Sequence, residues 1–291
     1  NIQMNQYQLM ELIGEGAYGI VEKAIDKNTK QLVAIKTIKS NHKSFRGISD
    51  IALREISLLK SLDHENIIKI LNVFQNESQI SFALEYCESN LFKYLHSKQI
   101  LEAEAKHLLK QLLMAIDHCH NRRVIHRDLS PGNILIKNMC NFEKQIKVSD
   151  FGLSRSFNCQ GRQFTHNVVT QYYRAPEIIL NAQNYDEKLD VWSIGCIWGE
   201  MLTGRPVFEG QNEIDQLSKI YQGVGSGEHH LEIKSQGGDV QVICFGSESL
   251  WPQLGMVLGN SGMRLMKKML ELEPAMRYSV KQCLDDVYWM E

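Results

Sequence analysis

The sequence predicts an α+β fold, with a β-rich N-terminal portion followed by a larger, mainly helical one. Three observations carry this. Short apolar runs separated by turn residues fill most of the first 86 positions, a 3.6-residue period interrupts them once at Ile48–Leu62, and helical periodicity dominates from Leu91 onward. The chain divides on this reading into an N-lobe, residues 1–86, and a C-lobe, residues 87–291.

Each element follows from its own pattern. Tyr7–Ile13, Ile20–Ile25 and Gln31–Ile38 read as strands of an antiparallel meander, and Ile67–Phe74 and Gln79–Tyr86 as two more. Between them Ile48, Ile51, Ala52, Ile56, Leu59 and Leu62 fall on one helical stripe. Leu108, Leu109, Leu112, Leu113 and Ile116 mark a helix over Glu102–Asn121, with acids in its first turn and Arg122 and Arg123 at its end, as the helix dipole favours. Further helices are predicted around Glu187–Met201, Glu213–Tyr221, Met263–Leu270 and Val280–Asp285. The glycine-rich stretch Gly223–Gly262 gives no clear period.

Composition narrows the class of function. Hydrophobic residues make up 43% of the 291 positions and charged residues 23%, as in ordinary globular domains. With 32 basic against 34 acidic side chains the net charge is −2, which argues against a nucleic-acid partner or an anionic membrane surface. No apolar run approaches the ~20 residues of a membrane helix. Seven cysteines, an odd number without a C-x-x-C pair, suit free thiols in a reducing compartment, the nucleus or the cytoplasm. The chain begins at Asn1, so a leader or tail outside it is compatible with the sequence.

Four short motifs carry the chemistry. Gly14-Glu15-Gly16-Ala17-Tyr18-Gly19 joins the first two strands, and glycines let a backbone approach a phosphate chain closely. A tight hairpin would use the same residues, and a dinucleotide fold would need a helix next, where Ile20 and Val21 begin a strand. Lys36 sits in the apolar strand Val33-Ala34-Ile35, and Glu55 on the following helix is its natural counter-ion. His126-Arg127-Asp128-Leu129-Ser130-Pro131-Gly132-Asn133 follows the long helix, and Asp150-Phe151-Gly152 comes next.

In this order and these settings, the motifs resemble the eukaryotic protein kinase family from the glycine loop to Arg277. The resemblance implies the protein kinase fold, ATP and magnesium as cofactors, and phosphoryl transfer to protein. Lys36 would bind the α- and β-phosphates and pair with Glu55. Asp128 would take the proton of the substrate hydroxyl, and Asn133 and Asp150 would hold the metal. The nucleotide would lie among Ile13, Gly14, Glu15, Gly16, Gly19, Val21, Ala34, Leu84, Asn90 and Leu135, with backbone groups of Glu85 and Cys87 on the base. Asp190 would brace the catalytic loop, and Arg277 would pair with Glu177.

Within the family, Gly47–Leu59, Asp150–Glu177 and Glu213–Leu217 most resemble the cyclin-dependent kinases, which act on serine and threonine. That likeness implies an activating phosphothreonine at Thr165 held by Arg54, Arg127 and Arg155, since three converging guanidiniums call for an anion. It implies a cyclin-type partner on the Ile48–Leu62 helix, a +1 site at Val168, Val169 and Arg174 selecting Ser/Thr-Pro, and one inhibitory phosphosite, Tyr18, beside Ala17. The chain departs from the pattern at Ser49, where relatives carry proline, at Tyr172, where they carry tryptophan, and at Ser130, where they carry lysine. Loss of that lysine implies slower turnover. A scaffold with the same fold, or a proline-directed kinase needing no cyclin, are the competing readings. The intact set Lys36, Glu55, Asp128, Asn133 and Asp150 counts against the scaffold.

Overall fold

The computed structural model describes residues 4–16, 19–39, 50–75, 79–139, 143–156, 168–182, 185–233 and 239–291. Thr165, Ala17 and Tyr18 lie outside them, as do the side chains of Arg54, Arg155, Val168 and Val169. The chain forms two compact units, residues 1–90 with 135–153, and residues 91–134 with 154–291.

The first unit is built on a five-stranded antiparallel sheet of β1 (Tyr7–Gly16), β2 (Gly19–Asp26), β3 (Leu32–Lys39), β4 (Ile70–Gln75) and β5 (Gln79–Glu85), in the order β1-β2-β3-β5-β4. Strand alternation sorts its faces. Tyr7, Ala24, Val33, Ile35, Phe74 and Ala83 form a buried cluster on one side, with Tyr7 and Phe74 edge to face at 5.2 Å. Helix α1 (Asp50–Ser61) buries Glu55, Ile56 and Leu59. A small sheet of β6 (Ser89–Asn90), β7 (Ile134–Asn138) and β8 (Lys144–Val148) completes the unit.

The predicted strand at Ile67 begins only at Ile70, because residues 66–68 pair elsewhere. Ile67 bridges Val148 in parallel, Ile68 N donates to Val148 O at 2.9 Å, and Val148 N donates to Asn66 O at 2.8 Å. These bonds tie the end of β8, two residues before Asp150, to the loop that follows α1.

The second unit is helical: α2 (Leu91–Ser97), α3 (Glu102–Asn121), α4 (Pro176–Ile179), α5 (Lys188–Thr203), α6 (Glu213–Val224), α7 (Leu250–Gly255), α8 (Asn260–Met269) and α9 (Val280–Leu284). The α3 stripe is buried as the sequence predicts. Helix α5 is mostly apolar and buried from Leu189 to Leu202, so it forms the unit's core rather than its surface. Gly199 lets that core close: a Cβ there would fall 2.5 Å from Val207 Cγ1.

Gly223–Gly262, unassigned from sequence, contains a hairpin of β9 (Ser226–Ile233) and β10 (Val240–Ser247), then α7. Gly246 belongs there because a Cβ would lie 2.3 Å from the backbone of Gly225.

Arg277 and Glu177 form a two-pronged ion pair in this unit, at 2.7 and 3.0 Å, as expected from sequence. Arg277, 1% exposed, also donates to the carbonyl of Glu271 at 2.9 Å and lies over Trp192 at 5.1 Å. Its removal would strand a buried carboxylate. Arg277→Ala is expected to destabilise the protein by about 3–5 kcal/mol, read by chemical denaturation; a loss below ~1 kcal/mol would show the pair to be dispensable.

Candidate active site

The register of the five-stranded sheet gathers several predicted nucleotide contacts on one face. Val21 lies opposite Gly14 and Lys36, Ala34 opposite Leu84, and Lys36 opposite Phe82, all with the parity opposite to the buried cluster. Ala34 and Leu84 are buried, while Ile13, Val21 and Leu135 are half-buried. At Gly14 a Cβ would make only ordinary contact with Val21, at 3.6 Å, so packing in this unit does not demand glycine there. At Gly19 it does, since a Cβ would lie 2.0 Å from Thr37 O on β3.

Lys36 is the centre of this unit's polar interior. Its Nζ donates to Glu55 Oε1 at 2.7 Å and Oε2 at 2.9 Å, and to Asp150 Oδ1 at 3.3 Å. Burial alone would favour a neutral amine, but the carboxylates of Asp150 and Glu55 outweigh it and hold the Lys36 pKa above its ordinary value. Asp150 takes a left-handed backbone, φ 63°, uncommon for a residue with a side chain. The fully buried Phe151 follows it, in a turn that packs against α1.

Glu85 plays a part that its sequence position did not reveal. Its carboxylate accepts from Lys137 Nζ at 2.7 Å and pairs with Lys147 Nζ at 2.8 Å. Burial pushes its pKa up, yet those two cations outweigh burial and hold it below the usual carboxylate range. The Glu85 amide is already donated to Lys69 O at 3.0 Å, so of its backbone groups the carbonyl is the one suited to accept from a ligand. Burial pushes the nearby Cys87 thiol up to about 12, which leaves it unreactive at neutral pH. Asn90 is half-buried on β6, paired with Leu135.

In the second unit the loop from His126 to Asn133 is organised by the buried carboxylate of Asp190. It accepts from His126 N at 2.9 Å, from Arg127 N at 2.9 Å and lies 2.9 Å from His120 Nε2. Burial opposes its charge, but the hydrogen bond and charge of His120 prevail, and the Asp190 pKa is lowered. Arg127 has a left-handed backbone, φ 73°, a cost of about 1–3 kcal/mol that the Asp190 bond helps to offset. Asn133 Nδ2 donates to the carbonyl of Asp128 at 2.7 Å and to its Oδ2 at 3.1 Å. Ser130 occupies an extended position before that turn and accepts from Asn133 N at 3.0 Å.

Arg174 is half-buried. Burial lowers its pKa against the raising influence of Asp128 and Glu213. Beside it Tyr173 donates to the buried Glu200 at 2.7 Å, and Ser193 Oγ donates to Tyr173 O at 2.7 Å. Nothing in the local sequence signals the Tyr173–Glu200 bond, because its partners are 27 residues apart on separate elements. No helix among the described residues is long and apolar enough to cross a membrane.

With this geometry in place, comparison with known families is decisive at the level of the domain. Residues 7–289 match the family model of the protein kinase domain. The chain belongs to that family and carries its ATP-dependent phosphoryl transfer to protein substrates.

The Asp190 brace makes a sharp expectation. In Asp190→Asn one backbone donor would face an amide N–H2 instead of an oxygen, so activity should fall at least tenfold. Because the folded pKa is depressed, the lost stability is complete at neutral pH and vanishes only as pH falls through the lowered value, below about pH 4. Equal stability of the two proteins at pH 7 would contradict this role.

Proposed function

We propose that this protein is a serine/threonine kinase of the cyclin-dependent type, acting on Ser/Thr-Pro sites. The supporting observation is the Lys36 ammonium held between Glu55 and Asp150 on the sheet face that carries Gly14, Val21, Ala34 and Leu84. A cation placed there suits the α- and β-phosphates of ATP, above an apolar face that suits adenine. Ile13, Glu15, Gly16, Gly19 and Leu135 complete the nucleotide contacts, with the Glu85 carbonyl and the backbone of Cys87 on the base and Asn90 beside it.

Asp128 serves as the acceptor for the substrate hydroxyl proton, and its bond from Asn133 orients it. On this reading the residues that would hold a metal are Asp150, through its carboxylate, and Asn133, through its amide oxygen, since the Asn133 nitrogen is committed to Asp128. Such hard oxygen donors fit magnesium. Bound magnesium would neutralise charge on the phosphates during transfer. Lys36 and Asp128 position the two reactants, which is most of what a loose phosphoryl-transfer transition state requires.

Phosphate on Thr165, held by Arg54, Arg127 and Arg155, orders the activation segment on this reading. Val168, Val169 and Arg174 select the +1 proline, Tyr18 is the single inhibitory site, and a cyclin-type partner sits on the α1 helix. An N-lobe of residues 1–86 and a C-lobe of residues 87–291 divide these roles, in the nucleus or cytoplasm. The test is transfer from Mg-ATP to a Ser-Pro peptide in the native complex, with Asp150→Asn as control. Phosphoserine above control supports the reading; transfer no greater than the control overturns it. Thr165→Ala should reduce activity sharply, and unchanged activity would remove that residue from the account.

Ser130 gives a gain-of-function prediction. The missing lysine would supply one charge-assisted contact to the γ-phosphate, about 1.5–3 kcal/mol. Ser130→Lys is therefore expected to raise turnover roughly ten- to a hundredfold, read in single-turnover kinetics. No increase would show that the site is already complete without it.

A further inference from the structure

The β9–β10 hairpin presents a face that the kinase machinery does not use. All eight residues of each strand pair in unbroken register. The inner face packs on the rest of the unit: Ile233 and Cys244 are buried, and His229 lies on Tyr221 of α6 at 4.7 Å. The outer face consists of two columns, Glu228, His230 and Glu232 on β9 directly opposite Phe245, Ile243 and Gln241 on β10. Every one of these six is exposed, Phe245 by 65% and Ile243 by 53%.

Two features separate this face from ordinary surface. Among the described residues the sheet has two strands, so each has an edge without a described strand neighbour. Edges are normally protected by charged side chains, lysine above all, by proline or by a bulge. Among the described residues of the hairpin there is no lysine, arginine or proline, and the register has no bulge. Charge defines the complement. Glu228 stands directly opposite Phe245 and Glu232 one same-face position beyond the level of Ile243, Asp239 and Glu248 lie at the strand ends, and His230 Nε2 sits 3.0 Å from Glu228 Oε1.

We infer that this face docks an extended segment of the protein substrate, of the pattern basic–x–apolar–x–basic. The spacing supports the register. Glu228 and Glu232 are four strand residues apart, about 13 Å, and a partner strand repeats its same-face side chains every two residues. Lysine or arginine at its first and fifth positions would meet the two glutamates, and the apolar residue between them would cover Phe245 and Ile243. The substrate clause rests on the kinase reading above; the docking surface does not.

The experiment uses the intact chain and a fluorescein-labelled peptide SGKTFTRTG, read by polarisation, with SGETFTETG as its acidic counterpart. The basic peptide is expected to bind saturably and to weaken with added salt. Binding should drop at least tenfold in Phe245→Glu with Ile243→Gln. Glu228→Lys with Glu232→Lys should exchange the preference for the acidic peptide, a result that a misfolded variant cannot give. Equal binding by all proteins, binding of neither peptide, or self-association through this face without peptide binding would overturn the proposal. In the kinetic arm, appending the basic segment to a Ser-Pro acceptor should lower its KM about tenfold in the wild type only, leaving kcat for the unappended acceptor unchanged. An appended acceptor with unchanged KM overturns the substrate clause. If neither acceptor is phosphorylated, the Ser/Thr-Pro reading fails while polarisation still decides the docking.

Discussion

The ammonium of Lys36, buried between two carboxylates, is the interaction on which the first unit's chemistry depends. It joins β3 to α1 through Glu55, and both to the end of β8 through Asp150. A buried cation is tolerable only when paired. The helix, the strand and the Asp150 turn are thus held by one electrostatic requirement. The same requirement leaves a positive group on the sheet face where Val21, Ala34 and Leu84 supply an apolar surface. The face therefore combines the two properties that a nucleotide needs.

The second unit solves a parallel problem with the opposite charge. The Asp190 carboxylate, completely buried, takes two backbone N–H groups from the loop and one imidazole. It thereby holds Arg127 in a conformation that an isolated chain rarely adopts. Asp128, the next residue, is then placed by its own backbone rather than by a flexible side chain, and Asn133 restrains its carboxylate. Each unit thus holds a left-handed residue stabilised by the surrounding fold, Arg127 in one and Asp150 in the other.

What could be read in the sequence follows from how local the signal is. The strands flanking Gly14–Gly19 and the α3 stripe are legible because hydrophobic period records them directly, whereas Lys36, Glu55, Asp128 and Asp150 are singled out through the resemblance of their motifs to a known family. The Glu85 cluster and the Tyr173–Glu200 bond are not legible, since cross-strand register and tertiary packing bring their partners together. Ile67 looks like strand by composition, but the backbone groups on either side of it, Asn66 O and Ile68 N, are spent on Val148. The hairpin at Ser226–Ser247 was hidden for another reason. Its outer face carries Ile243 and Phe245 where a half-buried strand would show polar residues, so the alternation on which such a reading depends is erased.

On the proposed function Lys36, held by Glu55 and Asp150, is the phosphate-binding cation. Calorimetric titration of the native complex with Mg-ATP and with adenosine tests it most directly, comparing the wild type with Lys36→Met. The variant is expected to lose at least tenfold in affinity for Mg-ATP while adenosine binding, carried by the apolar face, is unchanged. Equal loss for both ligands, or no loss for either, would contradict it.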